Sequence, residues 1–183
     1  MYFVILLVIL LIIIFWIAAM YNGLVRLRNQ VKNAWSQIDV QLKRRHDLIP
    51  NLVETAKGYM KHERETLDSI TKARSQAVEA SGVADQAKAE GELNNALSRF
   101  MLVVENYPDL KASQNFLALQ EELSSTENKV GFARQFYNDQ VQAFNIKIES
   151  VPSNIIAGLF NFKQAEFFEI ETPAERDVPK VQF

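Results

Sequence analysis

The most restrictive feature of the chain is its first 21 residues, MYFVILLVILLIIIFWIAAMY, which contain no charged residue, no glycine and no proline. An α-helix rises about 1.5 Å per residue, so ~20 apolar residues cross the ~30 Å hydrocarbon core of a bilayer. The stretch therefore predicts a transmembrane anchor over residues 1–21. A secretory signal peptide, cleaved near Ala18 and Ala19, is the main alternative. It is disfavoured because no basic residue precedes the run, and because the run is longer than the usual apolar core of such peptides.

Basic side chains follow the apolar run at Arg26, Arg28 and Lys32, and none precedes it. Basic flanks stay on the cytoplasmic side. We therefore expect a single-pass protein of the cytoplasmic (inner) membrane, with its C-terminal domain in the cytosol. Residues 26–74 carry a net charge of +5 and residues 75–183 a net charge of −7. The basic part thus lies beside the bilayer, where the three basic side chains are candidates for contact with lipid headgroups. Nucleic acid is not an expected partner, because the sequence has no binding motif and no concentrated basic face interleaved with aromatic residues.

Apolar residues recur at helical spacing directly after the anchor. A first stripe on one helix face comprises Leu24, Leu27, Val31, Trp35, Ile38 and Leu42. We expect this helix to end near Arg45 and His46. Asp47 and Pro50 then have the pattern of a new helix start, because aspartate caps helix N-termini and proline is tolerated in a first turn.

The remaining stripes predict three more long helices. The second runs from Asp47 to about Ser81, and the third from Val83 to about Asn106. The fourth has a seven-residue, coiled-coil-like repeat that comprises Phe116, Leu119, Leu123, Val130, Tyr137, Val141, Phe144 and Ile148. One or two further helical turns are expected within residues 153–160. Short loops between long amphipathic helices imply antiparallel neighbours.

The predicted fold is therefore all-α, with an N-terminal transmembrane helix followed by an antiparallel four-helix bundle. The predicted domains are the anchor (residues 1–21), the bundle (residues 22–160) and an extended C-terminal tail (residues 161–183).

The stretch YNGLVRLRNQVKNAWSQIDVQLKRRHDLIPNLVETAKGY, residues 21–59, resembles the signature of the LemA family. Further matching segments are YPDLKA at residues 107–112, NF at 115–116, TEN at 126–128 and the closing PKVQF at 179–183. The resemblance covers essentially the whole chain. It implies a bacterial, membrane-anchored helical bundle with a cytosolic domain, in a family without an established biochemical activity.

Motifs that carry catalysis or bind metals are incomplete in this sequence. His62 and Glu63 begin a zinc-protease pattern, but Thr66 stands where the second histidine is needed. A di-iron bundle needs a glutamate three residues before each histidine, and neither histidine has one. Cysteine is absent. We therefore predict no catalytic residue, no metal site and no cofactor, and we expect a protein that is not an enzyme.

Three charged residues fall on apolar stripes, namely Glu63, Glu127 and Arg134. Either they reach solvent at the edges of the stripes, or they form a buried polar layer that fixes the helix register, with Glu63 paired to Arg134 or to another basic group across the bundle. A catalytic pair of carboxylates is the third alternative. Arg45 and His46, together with the preceding arginine, are expected in a solvated turn, with lipid headgroup contact as the alternative.

Phe132 and Phe136 lie one turn apart on the far side of the fourth helix, away from its apolar stripe. They are predicted either to be covered by the phenylalanine-rich tail or to contact another subunit. Taken together, the sequence predicts a non-enzymatic, membrane-anchored protein that acts as an oligomeric scaffold or adaptor. The expected partners are the lipid bilayer, further copies of the chain and a possible membrane protein. The alternatives are a regulator of a membrane protease or envelope-stress system and, in third place, an enzyme of unknown type.

Overall fold

A computed structural model of the chain describes residues 1–169, and all regular secondary structure in them is helical. The helices are α1 (Tyr2–Lys57), α2 (Arg64–Glu79), α3 (Val83–Val104), α4 (Pro108–Lys111), α5 (Gln114–Glu149) and α6 (Ser153–Leu159). The all-α prediction is confirmed. The arrangement as a four-helix bundle stays a prediction. Of the predicted tail, residues 161–169 form no helix or strand, and residues 170–183 lie outside the described residues.

Helix α1 does not end where the sequence predicted. It runs without a break through Arg45, His46 and Pro50 to Lys57. A proline inside a helix cannot donate to the carbonyl four residues earlier, which here belongs to His46. The side chain of Arg74 on α2 supplies the missing hydrogen bond, because its Nε donates to this carbonyl over 2.7 Å. The expected end near Arg45 and His46 is therefore wrong, because a distant side chain satisfies the acceptor that proline leaves open.

The predicted second helix is also wrong, since residues 47–57 belong to α1 and residues 58–63 form a turn. The backbone N–H groups of Tyr59 and Met60 both donate to the carbonyl of Ala56, over 3.0 and 2.9 Å, and so close the end of α1. The side chain of Met60 is fully buried. The chain thus changes direction while the apolar stripe continues in the same phase, so the stripe alone did not reveal the turn.

The predicted third and fourth helices are confirmed as α3 and α5, and the expected short helical piece is α6. Their ends differ from the prediction by one or two residues, the usual uncertainty of helix boundaries. Helix α1 is the one helix of the described residues that is long and apolar enough to cross a membrane. The predicted boundaries at residues 21 and 160 stay predictions.

The structure divides into two compact units. Among the described residues, the first unit comprises residues 1–38 and 133–167, and the second comprises residues 39–132 with Phe168 and Glu169. In the first unit, the half-buried Trp35 meets Tyr137 edge to face, with ring centres 5.4 Å apart. Leu24 and Val141 are fully buried.

The second unit has its own apolar core. Residues from the end of α1, from α2 and α3, and from the start of α5 form one cluster of buried side chains. Phe100 and Phe116 lie at its centre with their ring centres 6.2 Å apart, and both are fully buried.

Candidate functional site

In the described part of the second unit, three charged or titratable side chains are buried. Arg45 and His46 lie side by side on α1 and are 2% and 6% exposed, and Glu90 on α3 is 1% exposed. Charged side chains are almost never fully buried unless they are paired, because removing an isolated charge from water is costly. Their partners therefore define the site.

Glu90 is the centre of this cluster. Its Oε1 lies 2.7 Å from Nε2 of His46 and accepts a hydrogen bond from Nε2 of Gln86 over 3.2 Å. Its Oε2 accepts from Nη1 of Arg45 over 3.1 Å. Both carboxylate oxygens thus have partners, and each oxygen faces a side chain of α1. The result is a satisfied buried anion that joins α3 to α1.

Arg45 extends the cluster to the surface. Its Nη2 donates to Oδ1 of Asn94 and lies 2.5 Å from Oε2 of Glu127 on α5. The Glu127 side chain is 47% exposed, whereas that of Arg45 is 3% exposed. One guanidinium therefore bridges a buried and a solvated carboxylate, and it links α1 to both α3 and α5.

A polar cavity of about 300 Å³ opens beside His46. The polar side chains in its wall are Asp39, Lys43, His46, Asp47, Arg74 and Gln86. Within residues 1–169, no group of three or more histidine, cysteine, aspartate or glutamate side chains is arranged to hold a metal ion. In chemical terms the cluster acts as an electrostatic cross-link. The Glu90 carboxylate accepts hydrogen bonds from Arg45 and Gln86 and lies against the ring nitrogen of His46.

The expectation of a solvated turn is wrong for Arg45 and His46, which are buried. For Arg44 the predicted exposure is confirmed, and this side chain pairs with Glu122, but the predicted turn is wrong because Arg44 lies within α1. The signal was present in the sequence, because Arg45 lies three residues after Leu42 and on the same helix face. Arg45 is therefore a charged residue on an apolar stripe, as Glu63 is. The predicted helix end at Arg45 conceals this, because a residue in a turn is not assigned to a helix face.

The candidate polar layer occupies several environments. Glu63 is half-buried and accepts a hydrogen bond from the hydroxyl of Tyr107 over 3.1 Å. Burial, and then this hydrogen bond and the charge of Glu63, raise the pKa of Tyr107. Glu127 is exposed and pairs with Arg45, and Arg134 is half-buried in the first unit. The structure therefore gives both glutamates partners other than Arg134, and the role of the three residues in helix register stays a prediction.

The remaining candidates lie on the surface. Phe132 is 74% exposed and Phe136 is 44% exposed, and the two are one turn apart on α5. Arg26, Arg28 and Lys32 are exposed on α1. The guanidinium of Arg28 stands 5.1 Å from the centre of the Phe162 ring, a cation–π contact within the first unit. Contact of the three basic residues with lipid headgroups stays a prediction.

Comparison with known proteins finds one matching family model and several similar proteins. A family model described as the LemA family matches residues 34–183. Protein LemA of Metamycoplasma hominis is 31% identical over 154 residues, which is 82% of this chain and 70% of that protein. Magnetosome protein MamQ 1 of Paramagnetospirillum magneticum is 27% identical over 180 residues, which is 84% of this chain. Magnetosome protein MamQ of Magnetospirillum gryphiswaldense is 25% identical over the same length. The chain spans 66% of each of these MamQ proteins, slightly less than two thirds.

Proposed function

The chain belongs to the LemA family, and from that premise we propose that it is a membrane-anchored, non-enzymatic scaffold or adaptor that works by self-association. The observation that carries this proposal is the exposed pair of aromatic rings on α5, Phe132 and Phe136. The anchor, the buried cluster and this pair support three separate parts of the proposal.

Membrane anchoring is supported by the start of α1. The first 16 residues are all exposed, although they are almost entirely apolar. A run of this length and composition fits the hydrocarbon core of a bilayer. We propose that it holds the protein in the cytoplasmic membrane, with the C-terminal part of the chain in the cytosol.

A structural rather than a catalytic role is supported by the buried cluster. A general base needs a free lone pair and an approach for its substrate. The Glu90 carboxylate is instead engaged by Arg45, His46 and Gln86. A helical body held by such a cross-link suits a protein that presents surfaces to partners.

Self-association is supported by the location of the two aromatic rings. Large aromatic side chains dominate the energetics of protein interfaces. Phe132 at 74% exposure and Phe136 at 44% exposure leave apolar area on the face of α5 opposite its buried stripe. A membrane anchor also holds every copy in one plane, which raises the effective concentration of neighbouring copies.

The proposal is tested by measuring the mass of the full chain in mild detergent with native mass spectrometry. We expect the wild-type chain to be an oligomer. The double variant Phe132→Ser with Phe136→Ser should shift the mass towards the monomer, and its circular dichroism should show unchanged helicity. Leu102→Ser is the matched control, because Leu102 is 72% exposed on α3 and its replacement removes a similar apolar surface elsewhere.

Two results would overturn the proposal. A monomeric wild-type chain would remove the basis for self-association. An equal loss of oligomer in the Leu102→Ser control would show that general surface apolarity, and not the pair on α5, drives the assembly.

A further inference from the structure

The corner between α5 and α6 lies beside the end of the apolar run, within the first unit. Among the first 20 residues, the two that are half-buried are Ile17 and Met20, near the end of the run. Lys147 in the last turn of α5 lines a cavity of about 330 Å³ together with Trp16 and Met20. The corner therefore reaches the level of residues that the anchor would place at the membrane surface.

Helix α6 has apolar residues on the side that faces outward. Val151 just before it, with Ile155 and Leu159 within it, are 80%, 67% and 73% exposed. The spacing of four residues puts Ile155 and Leu159 on one face of α6, and Val151 is exposed in the turn that precedes the helix. The buried side includes Ser153, whose hydroxyl donates to the carbonyl of Lys147 over 2.7 Å. Ile156 and Ala157 are buried on this side as well, so α6 is largely apolar on both sides. A helix that faces water has a polar outer face, so the environment of the outward face is not expected to be water.

Aromatic contacts fix the end of α6 to the end of the apolar run. The Phe160 ring lies 4.7 Å from the ring of Tyr21, measured between centres, and Phe160 is itself 50% exposed. The Phe162 ring lies 5.8 Å from the same tyrosine. Tyr21 closes the uncharged stretch, and tyrosine is favoured where the hydrocarbon core meets the headgroups. The outward face of α6 is therefore held at the depth of this boundary.

We propose that α6 is a second membrane contact, lying in the plane of the lipid surface beside the anchor. Val151, Ile155, Leu159 and Phe160 would enter the boundary between headgroups and acyl chains. Short amphipathic helices bind membranes in this way, through buried apolar area together with basic residues at the rim. Arg26 and Lys147 line the adjoining cavity and supply that positive charge.

The contact has a structural consequence for the first unit. A single transmembrane helix is free to tilt and to rotate about its own axis. A second contact, offset from the helix axis, restricts both motions. The inference rests on the proposed anchoring, so the experiment must report on the anchor and on α6 separately.

The absence of cysteine allows single labels to be placed on the full chain. Ile155→Cys and Leu159→Cys, each carrying an environment-sensitive fluorophore, report on α6 in lipid nanodiscs. Phe15→Cys is the lipid-facing reference, and Ser75→Cys on α2 is the water-facing reference. Quenching is measured with brominated acyl chains from the lipid side and with iodide from the water side.

We expect both α6 labels to lose fluorescence to brominated lipid as the Phe15 label does, and to be shielded from iodide relative to the Ser75 label. If iodide quenches the α6 labels as strongly as the Ser75 label while brominated lipid quenches the Phe15 label, the α6 contact is refuted and the anchor stands. If brominated lipid fails to quench the Phe15 label, the anchoring fails and the α6 contact fails with it. Shielding of α6 from both quenchers only in discs with several copies would identify a second chain as the occupant and overturn the membrane assignment.

Discussion

Replacing Glu90 by leucine should destabilise the second unit more than any surface substitution. The change removes the carboxylate that receives hydrogen bonds from Arg45 and Gln86 and faces His46. The guanidinium of Arg45, 3% exposed, is then left without its buried counter-charge. Breaking a buried ion pair by removing one partner costs about 3–5 kcal/mol. Because Arg45 still pairs with the exposed Glu127, we expect a destabilisation at the lower end of this range, about 3 kcal/mol.

The reverse truncation, Arg45→Met, should cost a similar amount, because it leaves the Glu90 carboxylate buried with His46 and Gln86 alone. Combining it with Glu90→Leu removes both charges at once. Replacing a whole buried pair by apolar side chains of similar volume is far less costly than breaking it. We therefore expect the double variant to cost about 2–3 kcal/mol less than the sum of the single variants, within the range of coupling found for contacting residues.

The loss of local stability in these variants is measured by hydrogen exchange of the full chain in detergent. Mass spectrometry of peptides from α3 reports the exchange rates of that helix. Exchange of buried amides follows the free energy of local opening. Since 1.4 kcal/mol corresponds to a factor of ten, Glu90→Leu should accelerate exchange in α3 by about 100-fold. Glu54→Gln is the control. Its pair with Lys57 has the same 3.1 Å distance, but both side chains are more than half exposed. Exposed pairs contribute about 0–1 kcal/mol, so the control should change exchange by less than about fivefold.

The reasoning would be refuted by either of two results. Acceleration of less than about tenfold in Glu90→Leu would show that water or a shifted partner replaces the carboxylate at little cost. Strict additivity of the two substitutions would show that Arg45 and Glu90 stabilise the unit independently.

The remaining predictions concern the carbonyl of His46 and the hydroxyl of Tyr137. Arg74→Met leaves that carbonyl without its donor and should cost about 1–3 kcal/mol by hydrogen exchange in α2. In the Pro50→Ala background the alanine N–H replaces the donor, so the same substitution should cost less, and equal costs would contradict the pairing. Burial, and then the charge of Glu166, raise the pKa of Tyr137 above 10.0. The unfolded chain therefore loses this proton first, and the contribution of Tyr137 to stability is complete below pH 10.0 and declines above it. Urea unfolding at increasing pH should show a steeper loss above that point in the wild-type chain than in Tyr137→Phe, and equal slopes would exclude the effect.

Periodicity predicted those helices whose structure depends on local pattern. Helix α3 is predicted although it contains Gly91, because Leu93, Leu97, Phe100 and Val104 recur at helical spacing after the glycine. Helix α5 was found because its repeat continues for 33 residues. In both helices, the face that the sequence predicts to be buried is the face that is buried in the structure.

The failures have non-local causes. The continuity of α1 past Pro50 depends on Arg74, which lies 28 residues after the carbonyl that it satisfies. No window centred on the proline contains that donor. The early end of the predicted helix also explains why the charged cluster is not predicted. A residue that is assigned to a turn is not assigned to a buried helix face. Arg45 was therefore interpreted as solvated, and Glu90 was not singled out.

The hydrogen bond from Arg74 to the carbonyl of His46 has a consequence for biosynthesis. The two residues are 28 positions apart. At about 5–20 residues per second, a ribosome takes roughly 1.5–6 seconds to add the arginine after the histidine. During that interval the carbonyl is part of the nascent chain and its donor does not yet exist. The apolar start of α1 is synthesised before either residue. The stretch that follows His46 completes its hydrogen bonds only after α2 has been synthesised and has docked. The last turns of α1 are therefore stabilised only after α2, a segment that is translated later, has packed against them.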